Sequence, residues 1–396
     1  MIYALNFLFD RWQGKKPYPN LMPMSDLANG YGELGQQFPF VVPLRLFYYS
    51  ADHGFPLYNF DLESQLPQPC FYPIALGFFN FDIDYFALIP TKVMNLIKNG
   101  TVRVLFYYHE GDNPTHEQTR LDQLCTSHNL DPDCYRFVSG NTAARFLNRF
   151  VYFADHELFY WRANKKQAAL AWNDAPRLKN STALSRVHKW WRATVMADLH
   201  RRGYLDQSFW SYNLLDVNDQ PTDNPIEVAW FPGLDQTIQS FLANAPYRCD
   251  DLTAEQHNHH HTLVSGHFQE SYFNIVLETM FDADQSGGTF LTEKTFKPIK
   301  HAQPFVLFAP KDSLSTLREL GYRTYDHAIM NYYDAVEDNT QRYLHAQAAI
   351  HALMSQDLFR WSQQCKQDAL YNQQQFLSSK FDRLNNLAKL LYDSIS

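Results

Sequence analysis

The stretch TVRVLFYYHEGDNPTHEQTRLDQLCTSHNLDPDCYRFVSG, residues 101–140, decides the fold class. Its first nine residues are rich in β-branched and aromatic side chains, and they run into the polar turn EGDNPT. A helical segment, HEQTRLDQLCTSHNL, then leads to a second strand, CYRFVSG. Because strands joined by a helical crossover lie parallel in one sheet, this order predicts an α/β fold.

The same alternation continues on both sides of this stretch. Upstream, short aromatic runs predict strands and residues 86–98 predict an amphipathic helix, whereas residues 209–254 contain four prolines and predict mostly loop and short helices. The predicted strands are MIYALNFLF, FPFVVPLRLFYY, CFYPIALGFF, QAALAWN, YFNIVLE and PFVLFA. The predicted helices are SRVHKWWRATVMADLHRR, TEKTFKPIKHA and DSLSTLRELG, and the loop DAPRLKNSTAL follows QAALAWN.

A chain of 396 residues is long for one hydrophobic core, since single cores stop growing near about 250–300 residues. The second α/β series starts after residue 165, which predicts α/β domains over residues 1–165 and 166–340. Residues 341–396 have few helix breakers and predict C-terminal helices that pack on the domains. The expected architecture is therefore two Rossmann-like domains with a helical tail.

Composition narrows the function classes. The net charge of −8 and the pI near 6.0 disfavour a general polyanion binder, although a local basic cleft is compatible with that sum. Five cysteines without a CxxC pair indicate reduced thiols and no zinc framework, and HNHHH (residues 257–261) is expected to be a solvated loop. No apolar run is long enough for a transmembrane segment and no leader is recognisable, so a cytoplasmic protein is expected.

The segment TEKTFK, residues 292–297, carries the first candidate site, because it follows a predicted strand where α/β sheets bind ligands. Thr292 is a candidate N-cap, and Lys294 and Lys297 share one helical face, which together suit a phosphate group. Glu293 suits a ribose diol, which donates two hydrogen bonds to one carboxylate. The alternative is a solvated, charged helix face. Pro298 predicts a late start or a kink in this helix.

The segments FNIVLET (residues 273–279) and FLTEKTFKPIKHAQPFVLFAP (residues 290–310) resemble the sugar-nucleotide signature of the α-1,3-fucosyltransferases. In that pattern F-x-L-A-F-E-N-S precedes Y-V-T-E-K, a helix and a V-P-V strand. Glu278 matches its first glutamate, and Glu293 and Lys294 match the pair that contacts ribose and diphosphate. The chain departs from the pattern at Thr279, in place of asparagine, and in a longer spacer.

Two further similarities accompany this resemblance. The patterns SYFNIVLET, TEKTFKPI and LRELGYRTYD also resemble a group of uncharacterised bacterial and phage glycosyltransferase-like proteins. The spacing from Asn173 to Arg192, followed by LHRRGYLD and FWSY, is similar to the region of the fucosyltransferases that supplies an arginine to the diphosphate. The planar guanidinium of Arg192 suits two phosphate oxygens, and the alternative is the polar face of an amphipathic helix.

The loop HEGDNP, residues 109–114, supplies the candidate catalytic base. It follows a predicted strand and resembles the fucosyltransferase segment in which an aromatic strand runs into a glutamate near a proline. Glu110 is the first choice, Asp112 the second and His109 the third, and burial would give the carboxylate a raised pKa. The alternative is a tight turn that caps the following helix.

The resemblance implies a two-domain GT-B glycosyltransferase, inverting and without a metal or other cofactor, that uses a GDP- or UDP-sugar donor and an acceptor hydroxyl of a glycan or other glycoconjugate. Asp82-Ile-Asp84 spells the Asp-x-Asp of metal-dependent transferases, but Asp84 is equally suited to cap a helix. One rival is a nucleotide- or carbohydrate-binding protein without turnover. Another is a phage-type transferase acting on hydroxymethylated DNA bases, with RLFYY, KKQ and Arg201-Arg202 as a basic track.

Overall fold

The computed structural model describes residues 1–8, 44–60, 62, 64–77, 79–216, 220–222, 233–249, 264–282 and 287–395. The HNHHH segment and the first residues of FPFVVPLRLFYY lie outside this part of the chain. The chain divides into two units. Unit 1 comprises Met1–Arg162, Gln285–Phe290 and Ser378–Ser396, and unit 2 comprises Ala163–Asp284 and Leu291–Leu377. The residues expected as one helical tail, 341–396, are thus divided between the two units.

Unit 1 is built on a six-stranded parallel sheet of order β2-β1-β3-β4-β5-β6. Alternate residues of its central strand β4 enter two separate apolar clusters, Phe106 on one side and Leu105 on the other. Burial of both faces explains why this strand is a continuous apolar run in the sequence. The strands are β1 (Leu5–Leu8), β2 (Leu57–Phe60), β3 (Phe71–Leu76), β4 (Arg103–Tyr108), β5 (Tyr135–Ser139) and β6 (Phe150–Tyr152).

Two helices of unit 1 show ordinary capping signals, one at its start and one at its end. Asn113 caps the third helix by accepting a hydrogen bond from the Thr115 N–H at 3.2 Å, and Pro114 occupies the first helical position. Gly54 ends the first helix in the left-handed region, with φ of 67°. The helices are α1 (Arg45–His53), α2 (Thr91–Lys98), α3 (Pro114–Ser127), α4 (Asp155–Ala163) and α12 (Lys380–Asp393).

Unit 2 is built on a four-stranded parallel sheet of order β10-β9-β7-β8. The two parallel sheets confirm the predicted α/β class. The strands are β7 (Lys179–Val187), β8 (Ser208–Leu215), β9 (Ser271–Leu277) and β10 (Phe305–Phe308). The helices are α5 (Trp190–Arg201), α6 (Asp235–Ala243), α7 (Ser265–Gln269), α8 (Glu293–Lys300), α9 (Ser313–Glu319), α10 (Asn339–Met354) and α11 (Leu358–Ser378).

The central strand β7 is polar, and hydroxyl pairs satisfy it. The Ser181 and Ser208 hydroxyls lie 2.6 Å apart across β7 and β8, and those of Thr182 and Ser271 lie 2.6 Å apart across β7 and β9. All four residues are buried. Because a buried hydroxyl is costly only without a partner, these pairs allow a polar sequence in the centre of the sheet.

The polarity of β7 explains one error of the sequence analysis. The strand predicted at QAALAWN, residues 167–173, is wrong, because those residues have no regular structure. The strand forms at Lys179–Val187, across the end of the predicted loop and the start of the predicted helix. The helix predicted from residue 185 begins only at Trp190 for the same reason. The apolar run QAALAWN matches a strand pattern better than the hydroxyl-rich residues of β7. The serines that pair with the β7 hydroxyls are far away in the sequence and cannot be recognised from it.

Other predictions changed type or length. The end of FPFVVPLRLFYY forms helix α1 rather than a strand, since Arg45 and Tyr49, one turn apart, both reach the same carboxylate of Asp155. In the region expected as loop and short helices, α6 is a short helix but β8 is an unpredicted strand. The helix expected over residues 86–98 is confined to α2, after a turn. Strands β3, β4, β5, β9 and β10 and the helices of residues 341–396 confirm their predictions.

Candidate functional site

A cavity of about 220 Å³ lies at the carboxyl ends of β7 and β9 in unit 2. Five basic residues and one acidic residue are among those that line it, in a protein whose net charge is −8. Phe268, Asn274 and Ser211 line a less charged part of the wall. Its basic residues are Arg186, Lys189, Arg192, Lys294 and Lys297, and its acidic residue is Glu293. The concentration of positive charge suits a polyanionic ligand.

Glu278, the first residue after β9, does not contribute a free carboxylate to this cavity. It is 0% exposed, and both of its carboxylate oxygens are occupied by neutral donors from the surrounding backbone and threonines. Oε1 accepts from the Thr292 N–H at 2.9 Å and the Thr295 hydroxyl at 2.6 Å. Oε2 accepts from the Thr292 hydroxyl at 2.6 Å and the Thr279 N–H at 2.9 Å. Glu278 therefore positions the start of α8.

Helix α8 begins at Glu293, directly after Thr292, and not later as Pro298 suggested. The Thr292 hydroxyl accepts a long hydrogen bond of 3.4 Å from the Lys294 N–H, so Thr292 is the N-cap. Pro298 is the sixth residue of a helix of eight, where it removes one hydrogen bond shortly before the helix ends at Lys300. The helix thereby presents Glu293, Lys294 and Lys297 to the cavity.

Arg192 lines the cavity from α5 and joins the ends of two strands. Its Nε and Nη2 donate to the Glu278 carbonyl at 3.1 and 2.6 Å, and Nη1 donates to the Val187 carbonyl at 3.0 Å. Burial of the guanidinium lowers the pKa of Arg192 to about 10, although the nearby carboxylates of Glu278 and Glu293 act to raise it. The side chain thus holds β7 and β9 together while it faces the cavity.

The lysines of the cavity differ in their partners. Lys189 donates to the Thr279 carbonyl at 2.8 Å, and Lys294 lies 3.0 Å from Glu293 Oε1 and also reaches two threonine hydroxyls. The burial of Lys297 lowers its pKa to about 8, with Lys294 and Arg186 adding to the effect and Glu293 opposing it. Within the described residues no hydrogen-bond acceptor is bound to the Lys297 amine.

Sequence reasoning missed Arg186 and Lys189. They lie at the end of β7 and just after it, in a region predicted as the start of a helix. Once β7 is assigned, its carboxyl end falls at Val187, and the parallel-sheet rule would have selected both residues. The missing signal was therefore the strand itself.

The predicted catalytic residues belong to unit 1, in the loop after β4. His109 is buried, and its Nε2 lies 3.3 Å from Oε1 of Glu110, whose side chain is 40% exposed. Burial alone would raise the pKa of Glu110, but the His109 hydrogen bond and the charges of His156 and Arg45 outweigh it and hold the pKa at about 2. This direction is opposite to the raised pKa expected from the sequence.

Asp112 and Asn113 complete that loop. The Tyr108 hydroxyl donates a short hydrogen bond to Asp112, whose charge raises the pKa of Tyr108 further after burial has raised it. Asn113 caps α3, as the alternative interpretation of the loop requires. Gly111 packs against Phe290, because a Cβ at this glycine would lie 2.0 Å from the Phe290 ring. The loop is thus both a helix cap and a contact of the segment that ends at Phe290.

Several charged residues considered in the sequence analysis are engaged elsewhere. Asp155 is buried and accepts from Arg45 at 2.5 Å and from Tyr49 at 3.1 Å. Arg201 and Arg202 both donate to Asp198, at 2.5 and 2.9 Å. Three arginines of the DNA-acceptor alternative thus have partners within the protein, with Arg201 and Arg202 sharing one carboxylate.

Asp84 accepts from the Phe86 and Ala87 N–H groups, each at 3.1 Å, and pairs with His128 at 2.8 Å. The carboxylate therefore acts as a cap, which is the alternative that the sequence offered to a metal-binding Asp-x-Asp. Across the described ranges no group of three or more His, Cys, Asp or Glu side chains is placed to hold a metal ion. Those ranges also contain no helix long and apolar enough to cross a membrane.

Comparisons with known proteins return no matching family model and no matching curated protein. Two solved structures show similarity over nearly the whole chain. One is the DNA-modifying enzyme β-glucosyltransferase, studied with and without uridine diphosphoglucose, at 8% identity and a TM-score of 0.35, covering 99% of both chains. The other is a mutant of the T4 phage protein BGT with UDP-glucose, at 8% identity and a TM-score of 0.36, covering 99% of this chain and 100% of that one. The fucosyltransferase resemblance therefore rests on the quoted segments.

Proposed function

We propose that the protein is a glycosyltransferase of the GT-B type that transfers a sugar from a nucleoside-diphosphate donor to an acceptor hydroxyl. The observation that carries the proposal is the cavity of unit 2, where five basic residues and Glu293 meet at the carboxyl ends of parallel strands. Cations suit the diphosphate and a single carboxylate suits the ribose hydroxyls, so a nucleotide satisfies both signs of charge.

In this proposal the residues of the cavity have distinct tasks. Glu278 and Arg192 hold the strand ends and the start of α8, and Glu293 binds the ribose. The lysines stabilise the charge that develops on the diphosphate as it leaves. Together with Arg186 and Arg192, the three lysines supply this stabilisation without a metal ion.

Glu110 remains the proposed base, with Asp112 second. Its carboxylate is ionised at neutral pH, which is the form that accepts the proton of the attacking hydroxyl, and the His109 interaction lowers its pKa and so its strength as a base. With a pKa near 2, Glu110 stays ionised above about pH 4, so its ionisation does not limit activity there. If activity falls on the acidic side of the pH profile at a higher pH, another group is responsible.

Nucleotide binding is tested first, by thermal denaturation with UDP, GDP, ADP, CMP and dTDP, with and without EDTA. A ligand at a hundred times its dissociation constant adds about 2.7 kcal/mol to the free energy of unfolding. We expect one nucleotide to stabilise the wild type in EDTA and to lose most of its effect in Lys297→Met. Lys366→Met is the matched control, because Lys366 pairs with Asp174 on the outside of the same unit. If no nucleotide raises the melting temperature, the proposal fails.

Turnover is tested with UDP-glucose and GDP-sugars as donors and with glycan and DNA acceptors. Glu110→Gln should lower turnover at least about 100-fold and leave the nucleotide-induced melting shift unchanged. Nucleotide binding without any turnover, unaffected by Glu110→Gln, would instead support a binding protein.

DNA with hydroxymethylated bases is the second candidate class of acceptor. UDP-glucose is the first donor to test with it. The two similar solved structures are of a DNA-modifying β-glucosyltransferase and of a UDP-glucose complex, so both compounds belong in the panel. Arg201 and Arg202 remain about half exposed although they pair with Asp198. If DNA is the acceptor, its retention should weaken steeply with salt, and Arg201→Gln should reduce the slope by about one.

A further inference from the structure

Three of the five basic side chains that line the cavity of unit 2 form hydrogen bonds or an ion pair with other residues of the protein. Arg192 binds two strand-end carbonyls, Lys189 binds the Thr279 carbonyl, and Lys294 binds Glu293. Each of these side chains therefore has a structural partner before any ligand arrives. Replacing one of them would disturb the wall of the cavity as well as the charge inside it.

Lys297 is different. It lies on α8 one turn after Lys294, is partly buried and lines the cavity. None of the residues that the structure describes accepts a hydrogen bond from its amine or forms an ion pair with it. A lysine amine has three donors, and those of Lys297 are open toward the cavity, so an anion that enters the cavity is their natural acceptor.

The charged groups around Lys297 come from three elements. Glu293 and Lys294 lie on its own helix, Arg186 lies on β7, and Arg192 lines the same cavity from α5. Glu293 favours the charged amine, whereas burial and the cations Lys294 and Arg186 disfavour it. The amine thus lies in a partly buried cluster of cations, whose repulsion an incoming anion would offset.

We propose that Lys297 binds the phosphate groups of the nucleotide directly and takes up a proton when they enter the cavity. This inference rests on the proposed function and adds the residue that contacts the anion and the pH dependence of that contact. The proton moves from solvent to the lysine nitrogen, which forms an N–H bond, and no other bond is made or broken.

The consequence is a linkage between pH and affinity. With the pKa of Lys297 at about 8 in the free protein, roughly half of the molecules at pH 8 carry a neutral amine. Because the anion binds the charged form, binding at pH 8 should take up about 0.5 proton per nucleotide, and near pH 6.5 almost none. Above pH 8 the affinity should fall, by up to about tenfold per pH unit.

The test is titration calorimetry of the full chain with UDP and with GDP at pH 8, in buffers of different ionisation enthalpy. The dependence of the apparent enthalpy on the buffer gives the number of protons taken up. Lys297→Arg should still bind the nucleotide without this uptake, because arginine stays charged. Lys294→Arg is the matched control: its affinity can change, but the uptake should persist.

Binding of nucleotide by the wild type without proton uptake at pH 8, or uptake that persists in Lys297→Arg, would overturn the inference and leave the proposed function intact. If neither UDP nor GDP binds, the titration is repeated with ADP, CMP and dTDP, and failure of all five nucleotides to bind would overturn the two together. A second readout needs no ligand: the pH dependence of lysine acylation, followed peptide by peptide, should show a midpoint near pH 8 for Lys297. A midpoint near the ordinary value of about 10.4 would contradict the inference.

Discussion

At the scale of the residue, the site separates groups that hold the protein from groups that face the ligand. The sequence analysis grouped Glu278 with the ligand-binding residues, because motif and position alone do not reveal how many donors surround a carboxylate. The structure surrounds it with four neutral donors from Thr279, Thr292 and Thr295. The sequence therefore places Arg192, Glu293 and Lys294 in one candidate site, but the division of tasks depends on contacts such as that of Arg192 with Glu278, 86 positions apart.

Replacing Glu278 by glutamine should destabilise the protein by about 2–3 kcal/mol, because an NH₂ group would face donors that now bind an oxygen. Denaturant unfolding measures this loss. Glu270→Gln is the control, since Glu270 is exposed just before the same strand. An equally small effect of both substitutions would mean that the threonine donors are satisfied by other acceptors.

Glu117 in α3 is a buried acid that leads to a prediction about pH. It is 2% exposed, its Oε2 has no hydrogen-bond partner among the described residues, and burial raises its pKa to about 7. A folded pKa above the unfolded value of about 4.3 means that the stabilising effect is complete below that value and is lost as the pH rises through about 7.

We therefore expect Glu117→Gln to raise the free energy of unfolding at pH 8 by about 1–3 kcal/mol and to change it little at pH 4.5. Chemical denaturation at the two pH values gives the difference directly. Equal effects at both values would show that packing of the amide, and not ionisation, decides the outcome.

At the scale of the element, predictability followed the apolar pattern. Strands β3, β4 and β5 and their crossover helices were predicted because their alternating residues enter two apolar clusters. Strand β7 was missed because its buried hydroxyls are stabilised by serines on β8 and β9, and such partners cannot be recognised from a local window. Missing β7 also concealed Arg186 and Lys189, which line the cavity at its carboxyl end.

The hydroxyl pairs of β7 can be tested by a double-mutant cycle on Ser181 and Ser208. Each change to alanine should cost about 1 kcal/mol, because the remaining hydroxyl loses a partner in a buried position. The double variant should lose less than the sum of the single variants, by about 0.5–1 kcal/mol. Strict additivity of the two unfolding free energies would mean that the serines do not depend on one another.

At the scale of the whole molecule, residues distant in the sequence complete each unit. In unit 1 the buried Glu157 of α4 accepts from Lys380 at 2.7 Å and from Arg383 at 2.9 Å, both on α12. Because removing one partner leaves a buried charge uncompensated, Glu157→Gln should destabilise the protein by about 3–5 kcal/mol.

Hydrogen exchange should place this loss in α4 and α12. Asp393→Asn is the matched control, since it removes an exposed ion pair with Lys389 on the same helix and should change stability by less than about 1 kcal/mol. If the two substitutions have equal effects, α12 is held by its apolar face alone.

The division of the chain also bears on the order in which the protein is made. The polypeptide passes between the two units four times, after residues 162, 284, 290 and 377. A ribosome that has delivered the first 162 residues has therefore released only part of unit 1, and residues 378–396 arrive after all of unit 2. At about 5–20 residues per second, Lys380 is synthesised more than about ten seconds after Glu157. The strands of unit 1 are therefore complete well before the helix that pairs with Glu157 exists.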